Sequence, residues 1–362
     1  MALACASALL LLLCYPKIDL AVLAWIALAP LLVALDAKSP KQAFLLSCLT
    51  GFIFFSGISY WIWTVDGASL VVYFVLAAYF SLYGGAFGLA TAWLRIRTAL
   101  PVGAIAPSVW VALEYLRGHA SFLSFPWALL GHTQYAHPAL MQVTAFTGVF
   151  GLSFLIVLVN AAVAEGVRTF LRARSNEREG ERALSRFALP VLAGLLVCGT
   201  VGYGSFALSR SPGAAERLKV TLVQGNIRPD YDGSASYREA TLARRDAILD
   251  RYELLTRDAA QANGASLVVW PEGAIPGDVA HEPRLRARLG RLASETRSFL
   301  LVGNSPYAKF ADRKLRGKYF NGATLLSPDG TLVDNYEKVI LVPFGEYNPL
   351  ENIVSCDESC LR

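Results

Sequence analysis

The sequence predicts a polytopic α-helical membrane bundle followed by an α/β domain. Two observations carry that prediction. Residues 1–211 hold seven apolar runs with only 13 basic and 8 acidic residues, whereas residues 212–362 hold 20 of each. Behind that change in charge, short apolar strands alternate with amphipathic helical patterns, the pattern of a layered α/β domain. Across the chain 54% of residues are hydrophobic, 17% are charged and the mean hydropathy is +0.43. A soluble domain usually carries about 25% charge.

The apolar runs are Leu3–Leu13, Ile18–Leu35, Gln42–Trp63, Leu70–Leu94, Thr98–Leu116, Ala139–Glu165 and Phe187–Leu208. A helix needs roughly 20 residues to cross about 30 Å of hydrocarbon, and in lipid the backbone must pair within its own segment. The first run is short and has no basic residue before it. It is expected to be a short span or half of a hairpin, not a leader with a basic start. Ser56–Gly57–Ile58–Ser59 and Gly84–Gly85–Ala86 offer small faces for close helix packing. Tyr60, Trp61 and Trp63 stand at a span end, where aromatic rings favour the interface.

Basic residues in the connections set the expected orientation. Lys38, Lys41, Arg95, Arg97, Arg168, Arg172, Arg174, Arg178, Arg182 and Arg186 fall in one set of alternate loops, against Lys17 and Arg117 in the other. The Arg-rich loop 168–186 is then cytoplasmic, and the α/β domain extracytoplasmic. The net charge of +5 comes from these loops, which argues against a nucleic-acid surface.

The second domain is expected over 212–362, after Ser211-Pro212-Gly213. Strands are read at Leu218–Val223 (buried), Ser266–Trp270, Phe299–Val302, Ala323–Leu326 and Leu332–Asn335. Helices are read at Tyr237–Ala262 and Arg284–Arg297. Ile248, Tyr252, Leu255 and Ala259 share one helical face, and Ser327-Pro328-Asp329-Gly330 is a hairpin turn.

Three stretches place polar groups just past strand ends, where ligands bind in open α/β sheets. They are Gln224–Ile227, Trp270–Pro276 and Tyr336–Tyr347. Glu272 lies between two prolines after an apolar strand, and apolar surroundings would suit it to general-base work. Lys338 follows the last strand, where a lysine can stabilise an oxyanion. Glu346 follows Phe344-Gly345. Each alone reads more simply as a solvated loop residue. Glu114, three residues before Arg117, reads as an interfacial ion pair or helix-end residue, or as a structural anchor near a lipid entry.

Taken together, W-P-E at Trp270–Glu272 and K-x-x-L-V-P-F-G-E at Lys338–Glu346 resemble the nitrilase, or carbon–nitrogen hydrolase, superfamily. The wider chain resembles the apolipoprotein N-acyltransferase family. That likeness runs through Glu114–Gly118, Phe125–Trp127, Leu130-Gly131, Gln134, Gly148–Phe154, Asn160, Gln224–Ile227 and Tyr319–Ala323. The resemblance implies a nitrilase-like α-β-β-α sandwich, incomplete here. It implies Glu272 as general base, Lys338 as oxyanion stabiliser and Glu346 as a supporting carboxylate. It implies an acyl chain moved from a phospholipid donor to an enzyme cysteine, then to the α-amine of a diacylglyceryl lipoprotein acceptor. The setting would be the bacterial cytoplasmic (inner) membrane.

The family's nucleophilic cysteine lies several dozen residues past the lysine, whereas 24 residues follow Lys338 here. Cys356 and Cys360 match neither its context nor its spacing. The nucleophile is therefore expected to be absent and this chain to be inactive as it stands. Competing expectations are a membrane-anchored amidase and a non-catalytic membrane protein. Cys5, Cys14, Cys48 and Cys198 sit in apolar runs. His119, His132, His137 and His281 lack metal-ligand spacing, and no nucleotide motif occurs, so no cofactor or metal is expected.

Overall fold

The computed structural model describes residues 1–64, 70–119, 124–174, 185–210, 217–227, 235–305 and 321–341. It divides into two compact units at residues 212 and 213.

The first unit is helical: α1 (Ala2–Leu13), α2 (Ala24–Ala27), α3 (Ala29–Ala34), α4 (Pro40–Ile58), α5 (Leu70–Arg97), α6 (Val102–His119), α7 (Pro138–Met141), α8 (Thr144–Arg174) and α9 (Ser185–Ser209). Four stretches among the described residues are long and apolar enough to cross a membrane: Pro40–Ile58, Leu70–Arg97, Thr144–Arg172 and Phe187–Ser209. Helix α4 begins with a full capping box, in which Ser39 and Gln42 satisfy each other's backbone amides, with Pro40 in the first turn. Leu192, Leu195 and Phe206 on α9 and Val71, Phe74 and Val75 on α5 are exposed, as side chains facing lipid would be.

Two expected spans are not continuous helices. Ile18–Leu35 breaks into a 3₁₀ turn (Ala21–Leu23), α2 and α3. Pro30 has no amide to donate and so sits in the first turn of a new helix. Such a break orphans buried backbone groups, and Asn160 of α8 takes them up. Its Oδ1 accepts from Leu28 N (2.7 Å) and Ala29 N (3.0 Å), and its Nδ2 donates to Ala24 O (2.8 Å). The run from Ala139 breaks after α7 and bends again at Gly148, whose φ of 59° favours glycine.

The α4–α5 seam is the close contact that the small residues implied. A Cβ on Gly84 would stand 2.7 Å from Ser47 O, and one on Gly88 2.4 Å from Ala43 O. Asp36, just past α3, accepts from Arg95 (2.9 Å), Arg168 (3.4 Å) and Arg172 (3.2 Å), which ties that loop to the ends of α5 and α8. Glu114 is held inside the bundle by neutral donors. It is 5% exposed, and its Oε1 accepts from Trp110 Nε1 (2.9 Å) and Leu130 N (2.7 Å). The carboxylate thereby fixes α6 to the chain entering the next turn.

The second unit contains β1 (Val220–Leu222), α10 (Ala235–Asn263), β2 (Leu267–Val269), β3 (Ile275–Pro276), α11 (Pro283–Thr296), β4 (Phe299–Ser305), β5 (Gly322–Leu326) and β6 (Leu332–Glu337). The sheet order is β1-β2-β4-β5-β6, with β3 beside β4. Strands β1, β2 and β4 run parallel, and β5 and β6 antiparallel. Helices α10 and α11 cover one face, where Leu249, Tyr252, Leu285, Leu289 and Leu292 pack on Val268, Trp270, Leu300, Val302 and Leu326. Arg288 bridges the helices through Glu253 and Asp246.

The expected buried first strand is corrected. Val220 is 45% and Leu222 77% exposed, whereas Val223 is buried with the helices, because alternate side chains turn Val220 and Leu222 to the other face of the sheet. The hairpin turn forms as expected. Ser327 N donates to Thr331 O, and Gly330 takes φ 84°. Hydrogen bonds from Ser327 and Thr331 hold the Asp329 carboxyl down at about 2.

Candidate active site

The candidate site forms where parallel strands end and the antiparallel hairpin begins. Trp270 anchors the first side of it. Its ring stacks on Tyr252 at 4.7 Å, and its Nε1 donates to Thr256 Oγ1 (2.9 Å). Burial raises the Tyr252 phenol above its ordinary range, an effect opposed by a hydrogen bond with the Gly225 backbone. Trp270 N also donates to Leu301 O (2.9 Å), so the chain leaves β2 in register with β4. Pro271 and Gly273, the latter at φ 61°, then turn Glu272 outward.

Strand β4 helps set that turn from below. A Cβ on Gly303 would lie 2.0 Å from Pro271 O and 2.8 Å from Glu272 Cα. Only glycine lets the two backbones approach so closely. The sequence reasoning missed Gly303, and a Gly at the end of an otherwise apolar strand was the available signal. Gly303→Ala is expected to cost about 1–3 kcal/mol by overpacking and to displace the Glu272 turn. Chemical denaturation with hydrogen exchange at Trp270–Ile275 measures both, and wild-type values would refute the assignment.

Lys338 follows β6 directly. Gly322 and Glu337 are paired across the hairpin, and Lys338 N donates to Asn321 O (2.8 Å). This register delivers Lys338 to the Glu272 turn. Lys338 Nζ lies 3.6 Å from Glu272 Oε1, and Asn321 Nδ2 donates to the same oxygen.

Two sequence-predicted residues, about 66 positions apart in the chain, are therefore brought together. The expected apolar surroundings of Glu272 are corrected: its side chain is 67% exposed and that of Lys338 32%. Its proline-flanked strand end points it away from the helix-covered core. Gln224 and Asn226 join each other at the end of β1 (3.0 Å), with Asn226 at φ 51°. Glu346, Cys356 and Cys360 lie outside the described residues, as do Tyr319 and Phe320 of the matched stretch.

A carboxylate beside an ammonium can take a proton at one atom and stabilise a growing negative charge at the other. Among the described residues no cysteine, serine or threonine is seen bonded to this pair, which could activate a thiol, hydroxyl or amine brought to it.

Both halves of the chain resemble known proteins. Residues 7–162 match the apolipoprotein N-acyltransferase N-terminal domain, and residues 219–356 match the carbon–nitrogen hydrolase family. An apolipoprotein N-acyltransferase of Geobacter metallireducens is 37% identical over 96% of this chain and 64% of its own length. Proteins of the same name from Haemophilus influenzae and Photobacterium profundum are 32% and 28% identical. Each covers 92% of this chain, which spans 61% and 60% of their respective lengths. The chain belongs to the apolipoprotein N-acyltransferase family, with its second half in the nitrilase superfamily.

Proposed function

We propose that this chain supplies the membrane bundle and the Glu–Lys half of the catalytic site of a phospholipid-dependent lipoprotein N-acyltransferase. The observation that carries the proposal is the approach of Glu272 to Lys338 at 3.6 Å, at the strand ends of a unit that follows, in sequence, four long apolar helices among the described residues.

In the first half-reaction, Glu272 takes the proton of a cysteine thiol. The thiolate adds to a phospholipid ester carbonyl, and the oxyanion meets the Lys338 ammonium. Collapse forms the thioester and expels the lysophospholipid alkoxide, which recovers the proton. In the second, the α-amine of a diacylglyceryl-cysteine attacks the thioester. An amide forms and the thiol is restored. Neither Cys356 nor Cys360 is assigned as that thiol, and Glu346 is proposed as a supporting carboxylate near it.

Membrane-resident donors and acceptors favour a site close to the membrane surface, and the distribution of basic residues favours the extracytoplasmic side. The basic ends of α5 and α8, with Lys38 just before α4 and Lys41 in its first turn, support the assignment of one side as cytoplasmic. Helix α9 then leaves that side, and the second unit follows it. The convergence of Arg95, Arg168 and Arg172 on Asp36 agrees with those ends sharing a side.

The test is acyl transfer from phosphatidylethanolamine to a diacylglyceryl-cysteine peptide. It is assayed in the product of the gene expressed with the DNA on either side of the 362 codons, and in this chain alone. Transfer in the first supports the proposal. Release of fatty acid or hydrolysis of small amides, with no transfer to the peptide, would overturn it in favour of a membrane-anchored amidase.

A further inference from the structure

Glu272 and Lys338 form an ion pair at an open edge, and pairs of that exposure contribute only about 0–1 kcal/mol. Something other than charge must decide where the carboxylate points. Asn321 stands between the two residues in the hairpin and contacts both. Its backbone oxygen accepts from Lys338 N at 2.8 Å. Its side-chain Nδ2 donates to Glu272 Oε1, the oxygen that faces Lys338 Nζ.

We propose that Asn321 is a positioning residue, whose side-chain amide holds the Glu272 carboxylate on the Lys338 ammonium. The inference rests on the roles proposed above for Glu272 and Lys338. The geometry separates two contributions of this residue. The backbone bond extends the β5–β6 ladder by one step and survives any substitution except proline. The side-chain bond reaches Glu272 across the site, so its loss is expected to free the carboxylate to rotate into solvent while the backbone bond of the hairpin stays.

Asparagine suits this task better than its near relatives. Its amide donates to a carboxylate while staying neutral. Aspartate in its place would repel Glu272, and serine has a shorter reach. A donor to one carboxylate oxygen leaves the other oxygen available to take a proton.

The test uses the intact chain in detergent. Each lysine is labelled with trace acetic anhydride across a pH series, and the profile of Lys338 is read by peptide mass spectrometry. In Glu272→Gln the midpoint of Lys338 labelling should move to lower pH, because the carboxylate no longer favours the charged amine. Asn321→Ala and Asn321→Leu should move it in the same direction by at least half as much, with Lys219 unchanged. The double variant Asn321→Ala/Glu272→Gln should move no further than Glu272→Gln.

A wild-type profile in both Asn321 variants, alongside a shifted Glu272→Gln, would overturn the positioning role. An unshifted Glu272→Gln would overturn the ion pair itself. Hydrogen exchange across Thr324–Asn335 reports whether the hairpin stays closed, and Asn321→Ser replaces any variant that opens it. The profile is read without turnover. A shifted profile in this chain, with no acyl transfer by the product of the gene expressed with its flanking DNA, would uphold the role of Asn321 and defeat the proposed activity.

Discussion

Glu272→Gln should lower acyl transfer by roughly 10²–10⁴-fold, the contribution of a general base positioned in the transition state. Glutamine keeps the size and the acceptor oxygen of the side chain but cannot take a thiol proton. Lys338→Met should cost about 10²–10³-fold, as removing one oxyanion donor does elsewhere. Lys338→Arg should not restore the rate, since a planar fork cannot occupy the place of a compact ammonium.

The two losses should not add. If Glu272 and Lys338 act as one unit at 3.6 Å, the double variant should be about as slow as the slower single variant. The effect should fall on thioester formation, measured by trapping the acyl-enzyme, and leave donor binding unchanged. A Glu272→Gln protein that retains more than a tenth of the wild-type rate would remove Glu272 from the chemistry.

The largest stability effect is expected in the membrane unit, at Asn160→Leu. Asn160 is fully buried and serves three backbone groups orphaned by the break between α2 and α3. Leucine fills similar space but leaves Leu28 N, Ala29 N and Ala24 O without that partner. Leu28 N keeps a second acceptor in Ile26 O; a buried unsatisfied group costs about 1–3 kcal/mol, so the loss at the other two is on the order of 2–6 kcal/mol. The apparent Tm in detergent should fall by on the order of 10 °C. Asn160→Leu at the wild-type Tm would mean that the broken helix does not depend on α8.

These two residues differ in how far the sequence alone could place them. The W-P-E and K-x-x-L-V-P-F-G-E stretches singled out Glu272 and Lys338 because both follow apolar strands. The meeting of the two is a matter of register. Pairing Gly322 with Glu337 sets Lys338 opposite Asn321, and a slip of one residue would turn every side chain of β6 to the other face. Asn160 was noticed only as part of a resemblance. Its purpose depends on a break that the apolar run Ile18–Leu35 conceals, because hydropathy reports what lipid tolerates and not whether the backbone stays helical.

Composition and local pattern by themselves determined the division near residue 212, the long apolar helices, the strand–helix alternation and the Asp329 turn. These follow from periodicity and turn chemistry, which act over a few residues. Tertiary structure alone decided the rest. It put Glu114 inside the bundle through Trp110 and Leu130, gathered three arginines on Asp36, and required glycine at 303. It also left Glu272 exposed beside Lys338 and Asn321, where a strand-end carboxylate had been expected among apolar groups. Each of these depends on contacts between residues distant in the chain, and contact at a distance is the one thing that local pattern does not encode.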